Sequence, residues 1–205
     1  MKFRGVYDFR NYRTRKVLRR SEKELFNRTC FSVWDQAGYV EGSISDTVTK
    51  YEKFDEYSED FLVFFKDNPV GTIRVIYPSD KGLPVLNDFD ITDDSWERPA
   101  AEFTLLTVIE DFRGKSHLPS FFLFRVAYQS SKRKGMKGIL MAADYRLYGL
   151  MKKLFAIKQI GPSKFYEGSE TFPAYINIRE GEEQIQQTNA SLHEFFVLES
   201  AFKGE

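Results

Sequence analysis

The chain is short of the residues that cross-link proteins and hold metals. It has one cysteine, Cys30, and two histidines, His117 and His193, in 205 residues. No internal disulfide can form, which points to a reducing, cytoplasmic setting. Two histidines leave little material for a histidine-based centre, and no metal is expected. Long apolar runs are absent as well. The longest, such as Phe61 to Phe65, fall far below the length that crosses a bilayer, so no integral membrane segment is expected. The basic stretch Met1 to Arg20 has no apolar core and does not read as a secretory signal. Internal repeats and low-complexity linkers are missing, so a single domain over 1–205 is expected.

What is present is the makeup of a globular protein. Hydrophobic residues are 42% and charged residues 29%, which excludes a disordered, collagenous or coiled-coil chain. With 20 Phe and 11 Tyr there is enough aromatic surface for a core and for a deep apolar pocket. Thirty basic residues balance thirty acidic ones, yet the signs are segregated. Met1 to Arg28 holds ten Lys or Arg against three Asp or Glu, and Arg113 to Lys137 holds seven against none. Glu41 to Asp60 is the reverse, with seven acidic and two basic residues. A basic block of this kind binds nucleic acid, a phosphate cofactor or an acidic protein, or is simply a solvated face.

Ser21 and Glu24 make a capping box, which predicts a helix from about Glu22. Leu25, Phe26, Cys30, Val33, Trp34 and Ala37 recur at helical spacing, and Gly38 closes the run. Cys30 lies on that stripe and reads as core. Tyr39 to Glu59 has no period and reads as a long loop of the kind that often carries function. Phe61–Lys66 and Val70–Tyr77 flank Asp67-Asn68-Pro69 and predict a β-hairpin stopped by Pro78. Ser79 to Pro99 reads as a second irregular acidic stretch. Ala101 to Ile109 is an almost continuous apolar strand, expected to be central and buried.

Pro119 marks the first turn of a helix running to about Arg133, with Phe122, Val126, Gln129 and Ser130 inward and Gly135 at its end. A strand over Gly138–Ala142 and a helix over Arg146–Phe155 follow. Strands are expected near Lys158–Tyr166 and Ala174–Arg179, then a last helix opened by Ser191 and Glu194 and running to about Phe202. The strand–helix–strand run from 101 to 142 is a βαβ unit with parallel strands. A mixed sheet with helices on its faces is therefore expected.

The turn after strand 101–109 reads Asp111-Phe112-Arg113-Gly114-Lys115-Ser116-His117-Leu118-Pro119 and enters a helix N-terminus. Unpaired backbone N–H groups and the helix dipole favour an anion there. Arg113 and Lys115 add charge, and Gly114 lets the backbone bend toward a ligand. A phosphate or pyrophosphate is the natural guest, and a plain turn with two solvated cations is the alternative.

This turn resembles the pantetheine-binding loop of GNAT-superfamily N-acyltransferases, with the match beginning at Arg113 and with Ser116 and Leu118 where that loop has glycines. Lys50-Tyr51-Glu52-Lys53-Phe54-Asp55 looks like the E-x-D-x-x-D segment of acyl-homoserine-lactone synthases, with Glu52 in place of an aspartate. Val70-Gly71-Thr72-Ile73-Arg74 looks like their V-G-x-x-R strand. Ala101-Glu102-Phe103-Thr104 is similar to their E-x-S-R strand, with Leu105 at the arginine. Arg146 to Gly161-Pro162 resembles their helix, strand and Gly-Pro turn, and the agreement runs from about residue 20 to 180. N-acyl amino acid synthases and the acyltransferases found beside exosortase systems share this scaffold.

The resemblance implies an α/β GNAT-like fold: a central mixed, twisted sheet with helices on both faces and a splayed cleft between two parallel strands. It implies an N-acyltransferase domain that moves a fatty acyl group from a thioester to an amine, with an amino acid or S-adenosylmethionine as acceptor. No resident cofactor is expected; acyl carrier protein or coenzyme A brings the acyl group. Glu102 is the first candidate base, with Glu52 and Asp55 next. A structural pair between Glu102 and Arg74 is the competing reading. Backbone donors near Thr107 and Val108 would face the oxyanion. Arg74 would hold an acceptor carboxylate bidentately, or serve in a salt bridge. Arg28, Phe31 and Trp34 match the acceptor-side positions.

Arg113, Gly114, Lys115, Ser116 and His117 would take the phosphopantetheine. Phe103, Leu105, Phe121, Phe122, Phe124 and Met141 would line the acyl chain, or simply fill the core. The basic residues Arg125, Lys132, Arg133, Lys134 and Lys137 would dock an acidic carrier protein. Three other readings stand beside this one: a coenzyme-A-dependent short-chain acetyltransferase, a nucleic-acid-binding module, and a non-catalytic acyl-thioester-binding protein. No nucleic-acid recognition motif has the expected spacing, so no nucleic-acid partner is expected.

Overall fold

A computed structural model describes residues 9–38, 50–113 and 118–197. The chain packs as two compact units. One holds the described residues up to Arg74 together with Leu105–Tyr128. The other holds Val75–Thr104 and the described residues from Gln129 onward.

The first unit opens with β1 (Tyr12–Lys16) and α1 (Arg20–Gln36). It continues with β2 (Ser58–Phe65), most of β3 (Asn68–Ile76), the second half of β4 (Ala100–Val108) and the start of α3 (Leu118–Arg133). β1 pairs antiparallel with β2, from Tyr12 opposite Phe65 to Lys16 opposite Phe61. Sequence reading missed this strand because Tyr-Arg-Thr-Arg-Lys carries a single apolar residue. It is held by its pairing with β2, and the Arg13 and Arg15 guanidiniums lie 5.5 and 5.3 Å from the Phe64 ring centroid.

The expected hairpin is present, but its turn lies at Lys66-Asp67, and Asn68 and Pro69 already belong to β3. Lys66 takes a left-handed φ of 55°, and its N–H donates to Asn11 O at 2.7 Å. α1 starts two residues earlier than its Ser-x-x-Glu pattern predicts. The chain leaves β1 at Lys16, and the Glu22 carboxylate accepts from the N–H groups of Leu18 and Arg19 at 2.9 and 3.1 Å. Glu24 instead lies near Arg20 and Arg28. The buried stripe is Phe26, Thr29, Cys30 and Val33, as the spacing predicts for Cys30. Of the long loop expected over 39–59, residues 39–49 lie outside the described residues, and Asp55–Tyr57 is a short 3-10 turn.

The second unit contains α2 (Pro84–Asp88), the first half of β4, β5 (Gly138–Asp144) and α4 (Tyr145–Leu154). β6 (Ile157–Gln159), β7 (Lys164–Tyr166) and β8 (Ser169–Asn177) follow, then α5 (Ile178–Thr188) and α6 (Ala190–Val197). β4 and β5 are parallel, as expected of the βαβ unit, while β8 pairs antiparallel with β5, β6 and β7. The architecture is therefore mixed α/β.

The parallel ladder is short. It runs through Ala100–Gly138, Ala101–Ile139 and Glu102–Leu140 and goes no further, although β5 continues to Asp144. Gly135 closes α3 as expected. Its φ is 75°, and bonds from Gly135 N to Lys132 O and from Met136 N to Ser131 O complete a Schellman cap. In α3, Ser130 is buried with Phe122, whereas Val126 and Gln129 are only half-buried.

Two helices here differ from the sequence reading. α2 lies within a stretch read as irregular, and α5 occupies residues partly read as strand. Asn177 caps α5 by accepting from Glu180 N at 3.1 Å, and Ile178, Gly181 and Ile185 form its buried face. The last helix is capped by Asn189, which accepts from Leu192 N at 3.1 Å, and Ser191 lies inside it.

Candidate functional site

In the first unit the acidic segment and the V-G-x-x-R strand meet. Tyr51 and Phe54 are buried and anchor the segment, which leaves Glu52 exposed and the Asp55 side chain 42% exposed. Arg74 is 2% exposed. Its Nε donates to Asp60 Oδ1 at 2.6 Å and its Nη2 to Asp60 Oδ2 at 2.9 Å. Nη2 also reaches Asp55 Oδ1 at 2.8 Å, and Nη1 the Tyr51 carbonyl at 3.1 Å. Lys23 of α1 joins through Asp60 Oδ2 at 2.6 Å and Asp55 Oδ1 at 3.1 Å. The Phe26 ring packs beside both cations. The guanidinium fork expected for an acceptor carboxylate is thus taken by Asp60.

Two cations and two carboxylates balance, so little net charge is buried. Burial alone would raise the Asp60 carboxyl, but the Arg74 hydrogen bonds and charge, helped by Lys23, hold it below the usual carboxylate range. Burial works against the Arg74 charge, and Asp60 with Asp55 more than offsets it. On α1, Arg28, Phe31 and Trp34 follow at three-residue steps along one side, beside the buried stripe. Arg28 is exposed and 3.9 Å from Glu24, while Phe31 and Trp34 are half-buried.

The start of the same β3 motif shapes the second half of β4. Val70 O accepts from Ile109 N at 3.0 Å. A Cβ on Gly71 would stand 2.4 Å from Thr107 O, so only glycine admits that strand so closely. The Thr72 hydroxyl donates to Leu105 O at 2.8 Å and lies 2.6 Å from the Thr107 hydroxyl. One hydroxyl has one proton, so Thr107 is the donor in the second bond. Leu105 has a φ of 50°, a left-handed residue in the middle of a strand, which marks a break in the regular pleat.

Farther on, Val108 O accepts from Arg113 Nε at 2.7 Å, which folds this side chain back onto the end of β4. Gly114, Lys115, Ser116 and His117, expected to cradle phosphate, lie outside the described residues. Phe122 is buried and stacks on Tyr12 at 5.6 Å, and Leu105 is also buried.

In the second unit Glu102 occupies the last paired position of the β4–β5 ladder. It is 2% exposed, and Oε2 accepts from Val85 N at 2.8 Å. Pro84, the first residue of α2, has no N–H, so Val85 is the first donor that the helix offers. Of the other acyl-pocket candidates, Phe103 and Met141 are buried in this unit, and Phe121 and Phe124 are buried in the first. Of the basic residues, Lys132 pairs with Glu182 at 2.5 Å and Lys134 lies 4.0 Å from the Tyr77 ring centroid. Arg133 and Lys137 are exposed, and Arg125 of the first unit is half-buried.

Among the described residues no group of three His, Cys, Asp or Glu is placed to hold a metal ion. No helix among them is long and apolar enough to cross a membrane. Sequence reasoning missed Asp60, Lys23, Thr72 and Val85. The visible signal for Asp60 was an acid entering an apolar strand, and for Thr72 its place inside the V-G-x-x-R motif.

The family described as N-acyl amino acid synthase FeeM matches residues 28–177. The structure of FeeM, an N-acyl amino acid synthase from uncultured soil microbes, is 16% identical, with a TM-score of 0.72 over 86% of this chain and 95% of that one. The coenzyme-A-dependent acyl-homoserine lactone synthase MesI is 14% identical, with a TM-score of 0.54 over 87% of this chain and 95% of its own. A spermidine N-acetyltransferase SpeG chimera from Vibrio cholerae and hSSAT is 15% identical, with a TM-score of 0.55 over 83% of this chain and 98% of its own. At these identities the likeness speaks for the fold, which is that of the GNAT acyltransferases. No curated protein sequence matches the chain.

Proposed function

The chain belongs to the N-acyl amino acid synthase FeeM family and is an N-acyltransferase, and we propose that it moves a fatty acyl group from a thioester to the amine of a small acceptor, an amino acid or S-adenosylmethionine. The observation that carries this reading is the family match over 28–177, which includes the acidic segment, the V-G-x-x-R strand, Glu102 and β5. The acyl group comes from acyl carrier protein or coenzyme A, as co-substrate, in the cytoplasm. By charge, an acidic carrier protein suits the basic residues Lys132, Arg133, Lys134 and Lys137, and Arg113, Lys115 and Arg125 add to the same basic stretch of sequence.

The amine nitrogen attacks the thioester carbonyl carbon. The C–N bond forms, the C–S bond breaks, and the sulfur leaves as a thiolate that takes up a proton. The nitrogen must lose a proton, and Glu102 is the base that receives it, with Glu52 and Asp55 as the next candidates. Backbone N–H groups near Thr107 and Val108 stabilise the oxyanion. Arg28, Phe31 and Trp34 contact the acceptor, and Arg74 serves that side by holding Asp55. Arg113 to His117 take the phosphopantetheine. Phe103, Leu105, Phe122 and Met141 contact the acyl chain, each buried methylene contributing about 0.8 kcal/mol, so chain length is selected.

The test supplies the purified protein with acyl carrier protein and coenzyme A thioesters of several chain lengths and a panel of amines. Thiol release and amide formation are followed together by mass spectrometry. Amine-dependent thiol release with a matching amide supports the reading. Absence of any amide across the panel overturns it. A preference for one thioester names the donor.

A further inference from the structure

We propose that Thr72 is a positioning residue for acyl transfer, acting through a hydroxyl latch on β4; this rests on the acyl-transfer reading above. The latch has three parts, all in the first unit. Leu105 sits at a φ of 50°, a conformation a leucine holds only when its surroundings impose it. The Thr72 hydroxyl donates to the Leu105 carbonyl at 2.8 Å, and so supplies from a side chain a donor to a carbonyl at the break in the pleat. The Thr107 hydroxyl then donates to Thr72 Oγ1 at 2.6 Å and fixes the rotamer that aims the proton at Leu105. Thr72 is 0% exposed and Thr107 3%, so water does not substitute for either group.

Gly71, one residue earlier, brings the two strands close enough for this geometry, since any Cβ there would meet Thr107 O at 2.4 Å. Thr107 and Val108, the β4 positions proposed to offer N–H groups to the oxyanion, follow the latched residue by two and three positions. A peptide plane turned at Leu105 sets the direction of the following N–H groups, which must converge on one atom. Thr72 touches no substrate in this account. It holds the strand that does, and its loss therefore acts on turnover more than on substrate capture.

The experiment compares Thr72→Val, which keeps the volume and removes the hydroxyl, with Thr72→Ser, which keeps the hydroxyl and removes the methyl. Thr72→Val is expected to lower kcat roughly tenfold, about the effect of one buried hydrogen bond, with KM for the thioester changed less than about twofold. Thr72→Ser is expected to restore kcat to near wild type. Should Thr72→Val fail to fold, the double variant Thr72→Val/Thr107→Val leaves no hydroxyl orphaned and carries the same expected loss. Unchanged kcat in the valine variants overturns the latch while leaving the acyl-transfer reading intact, because the wild type still turns over. A serine variant as slow as the valine variant overturns it too, by tracing the effect to packing. A wild type that forms no amide with any thioester overturns the acyl-transfer reading and the latch with it.

Discussion

Asp60 and Glu102 are both buried carboxylates carried on strands, and their partners differ in kind. Asp60, in the first unit, accepts from two nitrogens of Arg74 and from Lys23. Glu102, in the second, accepts from a peptide N–H, that of Val85. A carboxylate matched by cations is committed to being an ion, since taking away either sign strands the other in a poor dielectric. A carboxylate held by an N–H needs only an acceptor oxygen there, which an amide provides equally well. The first arrangement depends on the charge of the acid, and the Val85 contact of the second does not.

Removing the cation tests the first half most severely. Arg74→Ala leaves Asp60 buried with Lys23 as its remaining cation and is expected to lose about 3–5 kcal/mol of stability, read as a lower urea midpoint. A loss below about 1 kcal/mol would erase the contrast. Glu102→Gln tests the second half. Its amide oxygen still accepts from Val85, so the unfolding midpoint is expected to hold, while turnover falls about a hundredfold if the lost group is the base. Unchanged turnover at saturating substrates removes Glu102 from that role.

Gly71→Ala asks how much of the first unit depends on close strands and not on charge. The added methyl at 2.4 Å from Thr107 O is expected to lower stability by about 1–3 kcal/mol. A neutral result would mean that the strands part easily.

The smallest effect is in the pH dependence. Asp60 has a folded pKa below its unfolded one, so its contribution is present above roughly pH 4 and is lost as pH falls through the folded value. Arg74 is shifted upward, so its contribution is full at every working pH and is lost only in strong alkali. Unfolding midpoints taken from pH 7 down to pH 2 should fall more steeply for wild type than for Asp60→Asn. Parallel curves would assign the acid sensitivity to other carboxylates.

Elements with a strong period were legible. The Cys30 stripe, the hairpin and the parallel strands around α3 need only the spacing of apolar residues and the handedness of a βαβ crossover. Helix starts were less so. Ser-x-x-Glu occurs at both Ser21 and Ser191, yet the caps are Glu22 and Asn189, because the neighbouring element decides where the chain turns. β1 and α2 carry weak local patterns and exist because β2 and Glu102 meet their backbone groups or side chains.

In the candidate site the motif residues Glu52, Asp55, Gly71, Arg74 and Glu102 could be picked out, but their partners could not. Arg74 reads in the sequence as a fork for an acceptor carboxylate or as a salt-bridge partner, and Asp60 takes it. Spacing along the chain determines which face a residue shares with its near neighbours, and that was enough for most element types and the sheet class, while the family came from the resemblance of motifs. Thr72 finds Leu105 from 33 positions away, and Glu102 finds Val85 from 17. Such pairings are chosen by how strands close over a common core, where burial favours a partner for each charge and hydroxyl. That choice exists only in the folded chain.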